Sequence, residues 1–553
     1  MRKLISICML GAVALAASAQ TAHFDHFTYT GNEPRFQKNI DPKTEYLNPI
    51  LAGFYPDPSL CRKGDTYYLV NSSFTFYPGV PLFTSKDLVN WHQQRYVLDR
   101  PSQLPLKGQN VSGGIFAPAI SYNAKNKTFY MITTNVGAGN FYVKSKDPSK
   151  GWSDPIYLRK IDGIDPSFFF DKDGRGYIVH NAPVMGGDDY EGQRAIRLLR
   201  FDVKGDSIIG DPIEILRGGT HVQKNPIWIE GPHLFREGKY YYLMCAEGGT
   251  GAWHSEVILR AKKPEGPWEE CPHNPILTQR TGLDPQRPDI VTSAGHADLV
   301  KTPDGKWYAV FLACRPYEDD FYNTGRDTYL LPVTWKDGWP TILEQGKVVP
   351  TVVKKEGLQP GTGNKYLTGN FTYTDRFDAG SLDSCRWMRL RNPSAFYRLP
   401  GTGIDIMAKT AKISEKESPA AIFARQQHTD FTAETSVAFT PTSDKALAGM
   451  VLLQNEQYNF VFGKTLLGGK PAITLTRSEK NTVTVGSAVL SDADAAQPVG
   501  LRIVGHGRYY DFYYRPASTT DWQLLARGVD AVNLSTHYSG GFIGACIGLY
   551  ATK

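Results

Sequence analysis

Residues 57–70 read Asp57-Pro-Ser-Leu-Cys-Arg-Lys-Gly-Asp-Thr-Tyr-Tyr-Leu-Val70, a short strand, a polar turn and an aromatic, β-rich strand. The pattern returns four times. It reads Ala117-Pro-Ala-Ile120 with Phe129-Tyr-Met-Ile132, Asp165-Pro-Ser-Phe168 with Gly176-Tyr-Ile-Val179, Glu230-Gly-Pro-His-Leu234 with Tyr241-Tyr-Leu-Met244, and His296-Ala-Asp-Leu299 with Trp307-Tyr-Ala-Val310. The first residue of each unit precedes its aromatic by 10 to 12 positions, and successive units lie 48 to 66 residues apart. Each interval also holds further short strands bounded by Gly, Pro, Asn and Asp, such as Pro81-Leu-Phe-Thr-Ser85 and Phe141-Tyr-Val-Lys-Ser145. Such intervals have room for about four strands and almost no helix. Four-stranded units repeated radially make a β-propeller, and five units predict five blades.

Outward from the repeat, the chain divides further. Arg2 and Lys3 followed by an apolar stretch over 4–16 and Ala17-Ser-Ala19 predict an export signal over 1–19, and with it a periplasmic or secreted protein. The apolar stretch is short for a membrane span, and no later segment is long enough to make one. Losing Arg2 and Lys3 takes the formal net charge from +6 to +4. The remaining Lys and Arg are scattered among acids, which argues against a nucleic-acid partner. The propeller is expected over 20–350 and a Lys/Gly/Thr/Pro-rich linker over 351–371. From 372 to 553, runs such as Ala446-Leu-Ala-Gly-Met-Val-Leu-Leu453 and Tyr509-Tyr-Asp-Phe-Tyr-Tyr514 predict a β-sandwich. The whole is all-β. Beyond Cys8, six cysteines sit singly with no metal-ligand spacing, and Cys385 with Cys546 is the candidate bridge.

The first positions of the five repeats are Asp57, Ala117, Asp165, Glu230 and His296. Equivalent positions on the inner strands of a propeller converge at one mouth, so these groups are expected to face one another. Three gathered carboxylates repel, and one of them must hold its proton to high pH. Two carboxyls, one protonated and one ionised, are the minimum for cleaving a glycosidic bond. The third can keep the acid protonated. A bare Asp-Pro more often just starts a turn, but the repeat alignment favours function.

These residues carry a family resemblance. The chain resembles glycoside hydrolase family 43, particularly its β-xylosidase and α-L-arabinofuranosidase members, through Phe54-Tyr-Pro-Asp57, Ser73-Phe-Thr-Phe-Tyr-Pro-Gly-Val-Pro-Leu-Phe83, Ser85-Lys-Asp-Leu-Val-Asn-Trp91, Gly113-Gly-Ile-Phe-Ala-Pro118, Ile164-Asp165, Glu230-Gly-Pro-His-Leu234, Gly295-His296-Ala-Asp298 and Gly325-Arg326-Asp-Thr328. The resemblance implies an inverting reaction with Asp57 as general base, Glu230 as general acid and Asp165 orienting Glu230 and raising its pKa. It implies that Arg326 hydrogen-bonds in the substrate pocket, that Phe74 and Phe116 wall it, and that His296 packs there or contacts a water or an axial ion such as calcium. No cofactor is expected for the chemistry. The loop Gly541-Phe542-Ile-Gly544 is the candidate for a sandwich contribution to the rim. Members of the xylosidase type usually carry Trp-Ala-Pro where this chain has Phe116-Ala-Pro, which enlarges the pocket and weakens a strict preference for xylose. The expected function is therefore exo-acting release of terminal L-arabinofuranose from plant cell-wall hemicellulose oligosaccharides, with β-D-xylosidase or bifunctional xylosidase/arabinofuranosidase activity the alternative. Related fructan-cleaving propellers begin with a Trp-Met-Asn-Asp-Pro-type motif that is absent here. A sugar-binding lectin would not need the three carboxylates.

Overall fold

The computed structural model describes residues 20–553; the export signal expected over 1–19 lies outside the described residues. Five antiparallel sheets, each built on four principal strands, follow one another along the first two thirds of the chain. Their innermost strands are Ser59–Lys63, Ile115–Asn123, Ile164–Phe170, Glu230–Glu237 and Thr292–Lys301. Each inner strand contacts the next, and the fifth returns to the first, so the sheets close into a ring of propeller type. The second strands of the second and third sheets, Thr128–Asn135 and Gly176–Ala182, are buried along their whole length. Sheet faces on both sides cover them, which is why they read as continuous apolar and aromatic runs rather than as alternating ones.

Polar side chains stitch the ring where inner strands meet. Asp298 in the fifth sheet accepts from the Ser59 hydroxyl at 2.8 Å and from the Leu60 amide at 2.9 Å in the first. Ser121 donates to the Phe168 carbonyl, and Ser167 to that of Pro232. Residues 45–51 run beside the Arg326–Lys336 strand, where Asn48 both donates to the Leu330 carbonyl and accepts from the Leu330 amide. The chain thus clasps the last sheet before it enters the first.

The C-terminal unit is a sandwich of an eight-stranded and a six-stranded sheet. Strand Asp430–Ala438 alternates strictly between half-buried and buried positions, as a strand with one face in a core should. Phe431, Val437, Leu501, Ile503 and Phe512 of one sheet meet Met450, Leu452, Phe462 and Leu549 of the other.

One expected boundary is corrected. Strand Thr21–Gly31, assigned in sequence to the propeller, pairs with Thr372–Asp375, Ile404–Met407 and Asp430–Ala438 of the sandwich. It buries Ala22, Phe24, Phe27 and Tyr29 in the sandwich core. Its alternation is visible in sequence; its partners, some 350 to 400 residues away, are not. The segment 351–371, expected as a linker, is held in place. Val352–Lys354 pairs with Glu45–Leu47, Gln359 donates to Asp87, and Leu367 accepts from Ala52, so it packs along the ring. Cys385 and Cys546 are not bridged: the first lies beside the Gln93 carbonyl and the second is buried in a sandwich strand.

One fully buried guanidinium joins three parts of the chain. Arg315 pairs with Asp327 of the fifth sheet through two 2.9 Å bonds, with Glu33 of the N-terminal segment at 2.6 Å, and with the Gln427 carbonyl of the sandwich at 3.0 Å. Arg315→Met would leave the buried Asp327 without a cation and Glu33 with Arg35 alone, 3.3 Å away. Chemical denaturation should register a loss of about 3–5 kcal/mol, and a loss below about 1 kcal/mol would refute the role of this network.

Candidate active site

A register irregularity recurs in the inner strands of the second to fifth sheets. The ladder skips between Phe116 and Ala119, between Ile164 and Ser167, between Glu230 and His233, and between Gly295 and Asp298. Inside each skip sits a residue in the left-handed region: Ala117, Asp165, Gly231 and His296, with φ of 36°, 53°, 52° and 51°. Asp57, just ahead of the first inner strand, has φ 52°. Such bulges re-aim side chains at the end of a strand. Here they turn one residue per sheet toward the ring axis.

This register corrects the sequence alignment. The equivalents of Asp57 and Asp165 are Ala117, Gly231 and His296, and Glu230 stands one position earlier, level with Phe116, Ile164 and Gly295. Position 231 has to be small. A Cβ there would lie 2.9 Å from the His296 ring, in a conformation that favours glycine. Glu230 therefore reaches the mouth from the neighbouring backbone position with a side chain one methylene longer than Asp.

The sequence-selected residues converge. Asp57, Phe74, Phe116, Asp165, Glu230, His296, Arg326 and Phe542 all line one cavity of about 320 Å³. Asp57 Oδ1 accepts from Arg326 Nη1 at 2.8 Å, and Oδ2 from the Ser72 hydroxyl at 2.5 Å. Burial alone would raise its pKa, but Arg326, then His296 and Ser72, outweigh burial and hold the carboxyl below its ordinary value. Asp165 accepts from the Gly231 amide at 3.1 Å, so it grips the backbone next to Glu230. Burial, then the charge of Asp57, lifts Asp165 to about 7. Burial, then the charges of Asp165 and Asp57, lifts Glu230 well above the ordinary carboxyl value. One carboxyl is thus ionised and another protonated near neutral pH, within a single cavity.

His296 Nδ1 lies 3.9 Å from Asp57, and burial lowers its pKa to about 4, so the imidazole is neutral at pH 7. A second, small cavity on the ring axis is lined by His296 and His233. Among the described residues no group of three or more His, Cys, Asp or Glu is arranged to hold a metal ion.

The sandwich does supply part of the wall. Phe542 stacks on Phe74 with ring centroids 6.4 Å apart and meets Phe116 edge-on at 5.3 Å. Its carbonyl accepts from Arg326 Nη2 at 3.2 Å, and its amide donates to Ser112. Two glycines allow this approach, since a Cβ on Gly325 would lie 2.7 Å from the Gly544 backbone and one on Gly544 2.3 Å from the Thr324 carbonyl. Sequence reasoning missed Ser72, Ile164, Trp228, Gly249 and Thr250. Ser72 and Trp228 carried faint signals, as a hydroxyl closing the first repeat and an aromatic two residues before Glu230.

Residues 46–340 match the family described as glycosyl hydrolases family 43, and residues 374–553 match the β-xylosidase C-terminal concanavalin A-like domain. A protein named xylosidase/arabinosidase from Butyrivibrio fibrisolvens is 39% identical over 92% of this chain and 95% of its own. A non-reducing-end α-L-arabinofuranosidase from Bacteroides ovatus is 34% identical over 92% of this chain and 91% of its own. A putative β-xylosidase from Escherichia coli is 32% identical over 92% and 96% of the two chains. Among solved structures, a GH43_12 protein from a capybara gut metagenome superposes with TM-score 0.88 at 41% identity, covering 96% of this chain and all of that one. On these matches, with a converged carboxylate site behind them, the chain belongs to glycosyl hydrolase family 43 and is a glycosidase of the xylosidase/arabinosidase kind.

Proposed function

We propose that this protein is an exo-acting, inverting hydrolase that releases terminal L-arabinofuranose from hemicellulose oligosaccharides, exported to the periplasm or beyond. The five sheets are read as the five blades of its propeller. The carrying observation is the split between two carboxyls in one cavity: Arg326 holds Asp57 ionised, while burial and neighbouring charge keep Glu230 protonated. Asp57 takes a proton from water as that water attacks the anomeric carbon. Glu230 gives its proton to the glycosidic oxygen, the C–O bond breaks, and a pentose of inverted configuration leaves with a free hydroxyl on the remaining chain. Asp165 acts through Glu230, by its charge and by its bond to the Gly231 amide. Phe74, Phe116 and Phe542 stack against the apolar face of the terminal sugar, and Arg326 and His296 border it.

Exo cleavage is favoured by the cavity's size, near the small end of the ~300–1,000 Å³ range for ligand sites, and by the sandwich loop closing one side. Arabinofuranose is favoured by Phe116 standing where a larger indole is usual. Relatives named for β-xylosidase activity favour xylose, and comparing turnover of aryl α-L-arabinofuranoside and aryl β-D-xyloside by the purified protein decides between them.

Three outcomes are expected. Glu230→Gln and Asp57→Asn should each lower kcat on natural oligosaccharides by at least ~10²-fold with an unchanged circular dichroism spectrum. Activity within about fivefold of wild type in either would remove that residue from the mechanism. The Glu230 variant should be less impaired on aryl substrates, whose leaving groups need little protonation.

Asp165→Asn removes a negative charge that favours the protonated form of Glu230. Glu230 then ionises at lower pH, so the basic limb of the pH–rate profile should move down. A limb that stays or moves up would contradict the assignment.

Proton NMR of the first product should detect the inverted anomer, with monosaccharide as the sole small product. Retained configuration would discard Asp57 as base, and internal oligosaccharides would discard the exo pocket.

A further inference from the structure

The cavity has two unlike walls. Phe74, on the connection between two strands of the first sheet, Phe116, from the second sheet, and Phe542, from the sandwich, form one. The other is built from the third and fourth sheets: Ile164 at the start of one inner strand, Trp228 just before the other, and Gly249 with Thr250 on the loop that follows Tyr240–Glu247. Glu230 belongs to the second wall, two residues after Trp228. A general acid must touch the oxygen that departs, so the leaving group has to lie on the acid's side of the cavity.

Trp228 has the properties of a binding surface there. Its side chain lines the cavity, yet the residue is 41% exposed. Its backbone is left-handed, φ 50°, a costly state for a bulky residue and one that clusters at ligand sites. Neighbours hold it in that state. The Trp228 amide donates to the Gly192 carbonyl at 2.9 Å, and the Gly248 amide donates to that of Ile227 at 2.9 Å. The Arg194 guanidinium lies 5.5 Å from the centre of the indole and is itself fixed by two bonds to Asn181. Gly249 leaves one edge of the indole uncovered, since even a Cβ there would come within 3.6 Å of Cδ1. The ring is thus positioned by polar contacts and a cation, not by an apolar core.

We propose that Trp228 is the platform for the first sugar of the leaving group, a pyranose ring of the oligosaccharide backbone that stacks its apolar face on the indole. The assignment rests on the proposed function, because it takes Glu230 as the acid. A pyranose with equatorial hydroxyls offers a flat C–H face matched to an indole, whereas a small alkyl alcohol does not. The enzyme then selects for a sugar, and not only a terminal pentose, on both sides of the bond it cuts.

The test uses the full-length protein and three substitutions, Trp228→Ala, Trp228→Phe and Trp228→Leu. Each is assayed on a pentosyl-substituted oligosaccharide and for inhibition by free pentose, which occupies only the terminal-sugar pocket. Trp228→Ala should lower kcat/KM on the oligosaccharide about tenfold, mainly through KM. Its inhibition constant for free pentose should stay within about twofold of wild type, as expected of a residue outside the terminal pocket. Trp228→Phe should recover most of the loss, and Trp228→Leu, apolar but not flat, should not. Unchanged oligosaccharide kinetics in the alanine variant would overturn the platform. So would an equal weakening of free-pentose inhibition, which marks the indole as a support of the terminal pocket. Failure of the underlying reading is separate and visible in the wild type: absence of turnover on every pentoside brings down the proposed function, and the platform with it.

Discussion

A single guanidinium governs the site. Arg326 donates one nitrogen to Asp57 and another to the Phe542 carbonyl, with its charge 5.7 Å from the Phe542 ring centre. Three buried carboxyls share this cavity, and Asp57 is the one in direct contact with a cation. That asymmetry separates them. Asp57 can ionise because Arg326 repays its burial, and once it is charged its neighbours lose protons less readily. Without the guanidinium, desolvation would push all three carboxyls upward together, and the pair of opposite protonation states that glycoside cleavage needs would not form. The bond to Phe542 ties this electrostatic arrangement to the position of the second domain.

The backbone supplies the convergence. Left-handed residues within the inner strands of the second to fifth sheets and just ahead of that of the first break the pleat, and five sheets each aim one position at the axis. Two of those positions carry Asp, one His, one Ala and one Gly. The glycine is instructive. Its lack of a side chain lets the His296 imidazole pack against it, and the cavity-lining carboxyl of the fourth sheet is that of Glu230, one step upstream. Because the two aspartates and the glutamate leave the backbone at different register positions, they approach the cavity along different directions.

Neither structural unit is complete alone. The N-terminal strand Thr21–Gly31 lies in the sandwich, the segment after it contributes Glu33 to the Arg315 network, and the loop around Phe542 finishes the propeller's cavity. Chain connectivity and site geometry therefore bind the two units twice over. The buried Arg315 cluster is asymmetric in the same way: intact, its charges satisfy one another, but loss of the arginine strands Asp327 away from water and leaves Glu33 with Arg35 alone.

Much was legible in the sequence because it was local or repeated. Aromatic strands at a near-constant offset spelled out the ring, the repeat singled out Asp57, Asp165, Glu230 and His296, and the family resemblance added Arg326, Phe74 and Phe116, all of which line one cavity. The one-residue displacement of Glu230 was not legible, since a bulge changes strand register without changing the run of residue types. Nor were the partners of Thr21–Gly31, because alternation reveals that a face is buried and not what buries it. Ser72 and Trp228 went unnoticed for a related reason: a hydroxyl or an indole acquires a role only from what stands opposite it. Composition and spacing determined which groups could do chemistry; the tertiary structure decided their protonation, because burial and the distance to one arginine exist only in the folded chain.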